Sequence, residues 1–219
     1  FNILILILAT AMVLFFQWYV LRHMPVLDCL PFKPGNNLLE LRKMPADAVP
    51  DKKDYKFVYE KNGKKQNFTV KDLPDSTWEF VSREDVIIEK GKNNEPPIKD
   101  FYLNTLSGSD STEAILSLDA NYYLFFIRDA KVKQDSWTNK FAKIYELAKS
   151  KKMPLYIVSP QTSSANEFFN KQNNYDLPIL SLDATSFKTA ARTNPELYLM
   201  HGPVVKDKWG KADLQNALK

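Results

Sequence analysis

A single cysteine, Cys29, stands among the 219 residues, so the chain contains no intramolecular disulfide, no CxxC redox pair and no cysteine-rich zinc site. Histidine is nearly as scarce. His23 and His201 are too few for a multi-histidine metal site. Six scattered glycines exclude a glycine-rich phosphate loop. A strong excess of one charge is lacking too: 30 Lys and Arg against 26 Asp and Glu leave +4, with no dense basic block, which disfavours nucleic acid as a main partner. No Ser/His/Asp arrangement presents itself, and Asp110, Glu113, Asp119, Asp129 and Asp183 share no motif spacing. These absences leave no catalytic residue, no metal, no cofactor and no small-molecule substrate to name. The length allows one large domain or two modest ones.

What is present is unevenly distributed. Residues 1–21, FNILILILATAMVLFFQWYVL, carry no charge, whereas every charged residue lies from Arg22 onward. About 20 apolar residues at ~1.5 Å rise cross the ~30 Å hydrocarbon of a bilayer, so residues 1–23 are predicted to form a transmembrane helix. Trp18 and Tyr19 fall where aromatic rings favour the interface, and Arg22 and His23 mark the exit. A signal peptide is the competing reading. It needs a basic leading region and a shorter apolar core, yet no basic residue precedes Arg22, and Ala9-Thr10-Ala11 lies in mid-run. The opening Phe points to a processed protein or a piece of a longer one. Charge alone leaves the orientation open.

Residues 24–54 read as an irregular juxtamembrane strap. Pro25, Pro31, Pro34, Pro45 and Pro50 interrupt any helix longer than about two turns, and Gly35-Asn36-Asn37 signals a turn. Val26, Leu27, Leu30, Phe32, Leu38, Leu39 and Leu41 make it too apolar for a free linker, so it should pack on a domain or on the membrane surface. Residues 55–94 read as a β meander. Tyr55–Tyr59 and Gln66–Val70 flank Asn62-Gly63, the strongest short hairpin signal. A second pair, Trp78–Val81 and Val86–Glu89, is predicted around a polar turn at Ser82-Arg83-Glu84-Asp85. The meander would cover a neighbouring surface or grip a partner.

From Glu95 the pattern changes. An extended lead-in (Pro96–Leu103) and a turn at Ser107–Asp110 precede Tyr122–Ile127, a continuous apolar run typical of a strand buried on both faces. An amphipathic helix is predicted from Asp135 to Ser150, with Trp137, Phe141, Ile144, Tyr145 and Ala148 on one face and Asp135 or Ser136 as N-cap. Strands at Pro154–Val158 and Pro178–Leu182 alternate with helices at Ser164–Gln172 and Thr185–Arg192. The pair Leu197–Met200 and Val204–Trp209 and a helix at Lys211–Leu218 close a single α/β unit with a mixed sheet.

In that order and spacing, residues 95–219 resemble the thioredoxin fold, especially its membrane-tethered thiol-disulfide and peroxiredoxin-like branch. PPIKDFYLNTLSG is similar to the branch's lead-in, Tyr122–Ile127 to its central strand, and Asn194-Pro195 with LYLMHGPVVKDKWG to its cis-proline, strand, glycine turn and strand. The fold class implied is α/β: a thioredoxin-like mixed sheet flanked by helices, preceded by a small antiparallel β meander and one transmembrane helix. The resemblance also places the two catalytic cysteines on Lys131 and Gln134, and neither is a thiol. Thiol-disulfide exchange needs a low-pKa thiolate and a resolving thiol, so the fold is implied without its redox chemistry. Asn194 and Pro195 would then serve the turn, with a residual peptide groove as the alternative.

The whole chain, with LRHMPVLDCLPFKPGNN after the helix and the YEKNGK hairpin, also resembles the C-terminal half of a bacterial DoxX-type membrane protein. There a bundle of membrane helices precedes a last helix, a strap and a thioredoxin-like domain outside the cytoplasm. No residue here matches a DoxX motif, so no quinone-linked activity transfers. A bacterial origin leaves the Asn67-Phe68-Thr69 glycosylation sequon idle. Cys29 is read as a packed free thiol, with an intermolecular disulfide or a lipid attachment as alternatives. Lys131 and Lys133 read as a solvated loop, with a small anion site as the alternative.

The function implied is a redox-inactive thioredoxin-like binding or scaffold module, an accessory subunit of a bacterial inner-membrane assembly with its soluble domain in the periplasm. Its partners would be membrane lipid and other membrane-protein chains. Two rivals remain open: the C-terminal part of a DoxX-type quinone- or thiol-linked oxidoreductase subunit, and a peptide-binding chaperone.

Overall fold

The computed structural model describes residues 2–131 and 134–219. The chain divides into two compact units. One holds the residues up to Lys43 together with Pro97–Lys219, and the other holds Met44–Pro96.

The first unit begins with α1 (Asn2–Val20), a 19-residue helix with no buried residue. A helix satisfies its backbone groups internally, which is what makes an uncharged, all-round apolar segment compatible with lipid. At its end the N–H groups of Arg22 and His23 both donate to the Tyr19 carbonyl. The His23 ring stacks on Tyr19 at 4.5 Å, and the Arg22 guanidinium lies 4.8 Å from the Trp18 ring centre.

The strap then packs on the domain. Phe32 and Leu38 are buried in its core. A single helical turn, α2 (Leu38–Leu41), starts at Asn37, whose side chain accepts from the Glu40 N–H. The Gly35 N–H donates to the Val205 carbonyl, the Val205 N–H to the Asn36 carbonyl and the Leu38 N–H to the Pro203 carbonyl. These bonds cover the outer side of an edge strand that would otherwise offer unpaired groups.

That sheet has five strands: β4 (Asn121–Phe126), β5 (Leu155–Ser159), β6 (Ile179–Ser181), β7 (Glu196–His201) and β8 (Val204–Gly210), in the order β6-β5-β4-β7-β8. β4, β5 and β6 are parallel, and β7 and β8 form an antiparallel hairpin against β4. The order and directions are those of a thioredoxin-like fold. Because side chains alternate along a strand, Tyr122, Leu124 and Phe126 enter one core with Phe101, Leu103, Tyr198 and the strap residues. Tyr123, Phe125 and Ile127 enter the other, with α4 (Thr138–Ser150), Phe168 and Phe169.

Several expected elements differ. A helix stands where none was expected, α3 (Thr112–Leu116), entered through Asp110, whose Oδ1 accepts from the Thr112 N–H at 2.8 Å, and a 3₁₀ turn at Gln134–Ser136 replaces the first residues of the expected long helix. That turn delays the helix expected from Asp135, so neither Asp135 nor Ser136 caps α4; Trp137 precedes it with no side-chain cap. Trp137 is 1% exposed, and packing it against Phe125, Phe141, Phe168 and Phe169 sets where the helix starts. The helix expected at Ser164–Gln172 is split into α5 (Thr162–Asn166) and a π turn at Glu167–Gln172. The wider turn buries the adjacent Phe168 and Phe169 together. α6 (Ala184–Ala190) is capped by Asp183, and the last helix is a 3₁₀ segment, Leu214–Leu218.

The second unit is a three-stranded antiparallel sheet, β1 (Lys52–Lys61), β2 (Lys64–Thr69) and β3 (Glu79–Glu89), ordered β2-β1-β3. Two expectations are corrected. β1 begins inside the span read as strap, and Ser82–Asp85 is ladder rather than turn, since Val58, Phe57, Lys56 and Tyr55 face Ser82, Arg83, Glu84 and Asp85 in register. Ser82–Asp85 looked like a turn because the strand is largely exposed and hence polar. Asn62 and Gly63 both have positive φ, as a type I′ hairpin turn requires. A Cβ on Gly91 would lie 1.9 Å from the Val49 carbonyl oxygen, so the close pairing of Val49 with Lys92 requires glycine there.

Candidate functional site

β4 runs through buried Ile127 into the loop that carries Lys131 and Gln134. The Arg128 N–H donates to Asn194 Oδ1 at 2.8 Å, so this loop is tied to the cis Asn194–Pro195 peptide. Asp129 Oδ1 accepts from the Lys131 N–H at 2.9 Å, and Gln134 Nε2 donates to the Ala130 carbonyl at 3.0 Å. The Pro195 carbonyl accepts from Thr193 Oγ1 at 2.8 Å. The structure therefore sets Lys131 and Gln134 on one loop and brings Asn194 against that loop's base. Lys133 lies outside the described residues. Among the described residues no group of three His, Cys, Asp or Glu side chains is gathered as a metal site. Cys29 is exposed in the strap rather than packed, and its neighbour Asp28 is held by Lys208.

That hold is a buried ionic cluster which sequence reasoning missed. Glu196, directly after Pro195, is fully buried and accepts through Oε2 from the N–H groups of Arg192 (2.6 Å) and Thr193 (3.0 Å). Its Oε1 lies 3.3 Å from Lys208 Nζ, and Lys208 also donates to Asp28 Oδ2 at 3.0 Å. The Lys208 ammonium sits 4.7 Å from the Tyr198 ring centre. Burial pushes the Glu196 carboxyl above its ordinary range, against the pull of Lys208 and the two N–H groups. Burial likewise pushes the Tyr198 hydroxyl well up, keeping it a donor to the Ala190 carbonyl. One lysine thus joins strap, β7 and β8. Sequence carried little signal for it, since Glu196 opens β7 beside Pro195 and Lys208 is one of three charges in β8.

The loop end of the domain meets the exit of α1. His23 Nδ1 lies 2.8 Å from Asp213 Oδ2, and the Ala212 N–H donates to the Arg22 carbonyl. A Cβ on Gly210 would approach the Met24 nitrogen to 3.2 Å. Two clefts flank this junction. One, about 360 Å³, is lined by Val20, Pro25, Arg128, Lys188, Ala191 and Arg192. The other, about 710 Å³, includes Trp18, Arg22, Asp135, Lys140 and Lys211. Arg128 and Asp135, from the two sides of the loop after β4, each line a cleft shared with α1.

Residues 53–90, the three-stranded sheet, match a family described as a domain of unknown function, DUF8463. No curated protein matches the chain. Among solved structures, the chain is similar to a thiol:disulfide interchange protein from Bacteroides sp., with 16% identity over 55% of this chain and 84% of that one at a TM-score of 0.40. It is also similar to a thio-disulfide isomerase from Thermus thermophilus, with 18% identity over 55% and 88% at 0.41. A third similarity is to StoA from Bacillus subtilis, with 17% identity over 54% and 96% at 0.37. These are resemblances of chain path over about half the molecule.

Proposed function

We propose that this chain is a membrane-anchored thioredoxin-like module that binds or scaffolds instead of exchanging disulfides. It serves as an accessory subunit of a bacterial inner-membrane assembly, with its domain on the periplasmic side. The observation that carries this reading is the loop after β4. It holds Lys131 and Gln134 where exchange needs two thiols, and the chain's one cysteine is in the strap. An ammonium and an amide provide neither an attacking thiolate nor a resolving one.

Two further features support it. The strap is bonded to β8 along its backbone and through the buried Asp28–Lys208 pair, so the domain is held close to the helix exit. α1 has no buried residue, and its exposed apolar side chains from Ile3 to Phe16 suit lipid and helices of partner chains, which associate by side-chain packing.

Purification from native membranes in mild detergent, through a C-terminal tag, tests the reading. Stoichiometric membrane-protein partners that co-migrate on size exclusion are the expected result. Recovery without partners as a longer polypeptide with further membrane helices overturns the subunit reading in favour of a DoxX-type oxidoreductase. Recovery without partners at this length overturns it outright.

A further inference from the structure

We propose that the cleft between the end of α1 and α6 holds the phosphate of an anionic membrane lipid. Three cations reach it from separate parts of the domain: Arg128 from the loop after β4, Lys188 from α6, and Arg192 from the turn beyond. No ion pair neutralises any of the three among the described residues. Carboxylates close in sequence bind other groups. Glu196 is taken by Lys208 and the N–H groups of Arg192 and Thr193, Asp129 by the Lys131 N–H, and Asp183 by the N–H groups of Thr185 and Ser186. Three like charges on one small cleft raise its potential and favour an anion.

The other walls select which anion. Val20 is the last residue of α1, and Val20, Pro25 and Ala191 give the cleft an apolar side. Trp18 and Tyr19, two residues and one residue earlier, mark the level where aromatic rings sit among headgroups. A ligand that presents a phosphodiester to the cations and carbon to Val20 matches both walls. A lipid at the helix exit does so, and its attachment to the bilayer holds the phosphate at that depth. Basic residues near a membrane surface contribute about 1 kcal/mol each towards anionic lipid, roughly fivefold per charge. The proposal rests on the anchoring part of the function proposed above.

The test uses the full chain in detergent, with native mass spectrometry of bound phosphatidylglycerol, phosphatidylcholine or inorganic phosphate. Phosphatidylglycerol should be retained over phosphatidylcholine. Arg128→Gln, Lys188→Gln and Arg192→Gln should each reduce that preference about fivefold, and the triple variant should abolish it. Lys56→Gln/Lys64→Gln/Lys65→Gln, an equal charge change on the three-stranded sheet, should leave it intact. A preference that survives the triple variant, falls equally in the control, or is displaced by equimolar inorganic phosphate overturns the proposal. If the triple variant does not fold, the single variants decide. Carbonate extraction of membranes separates the two readings: release of the wild-type chain defeats anchoring, whereas retention without lipid preference defeats the lipid site alone.

Discussion

Lys208 is the residue on which the most structure converges. Its side chain is 3% exposed and balances Glu196 and Asp28, one fully buried and the other part-buried. Removing one partner of a buried ion pair leaves an uncompensated charge, a loss of roughly 3 kcal/mol or more. Lys208→Met should therefore lower unfolding free energy by about 3 kcal/mol in urea titrations followed by tryptophan fluorescence. Adding Glu196→Gln should recover part of that loss, because the orphaned carboxylate is then gone. Asp183 shows the opposite electrostatics at an exposed site. Backbone N–H groups, that of Ser186 foremost, hold its carboxyl below the ordinary 3.8. The folded state then binds this proton less readily than the unfolded one. The stabilisation is present above the ordinary value and is lost as pH falls through the lower folded value. Asp183→Asn should flatten the acid limb of a stability-against-pH curve below about pH 4, with thermal melts at neutral and acid pH as the measurement.

At the scale of elements, the central strand β1 carries the three-stranded sheet. Val58 faces Asn67 on one side and Ser82 on the other, and proline there removes a ladder donor from a central strand. Val58→Pro should abolish amide-exchange protection across β1, β2 and β3. Cross-strand contacts of Tyr59 with Phe68 and Phe80 give that sheet its aromatic cluster. Legibility in sequence varied with how local the cause was. The Asn62-Gly63 hairpin was legible because positive φ is a property of those two residues. The buried central strand was legible because a run of apolar residues needs cover on both faces. β3 was misread as two strands because Ser82–Asp85 has turn composition, and only pairing with the ten-residue β1 makes it continuous. The start of α4 was misread because burial of Trp137 outweighs the capping preference of Asp135 and Ser136.

For the whole molecule, the anchoring reading depends on residues 2–20. Arginine near the middle of a membrane helix costs about 2.5–3.5 kcal/mol on insertion scales. Met12→Arg should shift the chain from the carbonate-resistant membrane pellet towards the supernatant, read by immunoblot, while the tryptophan fluorescence of the soluble region stays native-like.

The sequence by itself determined the features whose cause lies within a short stretch or in a residue type. These are an uncharged segment of membrane length, a strand buried on both faces, the glycine turns, and the lack of cysteine beyond Cys29. Part of the candidate site was legible in this way, since the loop after β4 and the Asn194-Pro195 turn follow from element order. Only the tertiary structure decided what depends on residues far apart in the chain. Asp28 meets Lys208 across 180 positions, and Arg128 shares a cleft with Val20 and Arg192. Such meetings come from the strand order and from the strap lying along β8. A charge in the sequence states its sign, whereas the fold supplies its burial and its neighbours, and these decide whether it joins a buried pair or faces an open cleft.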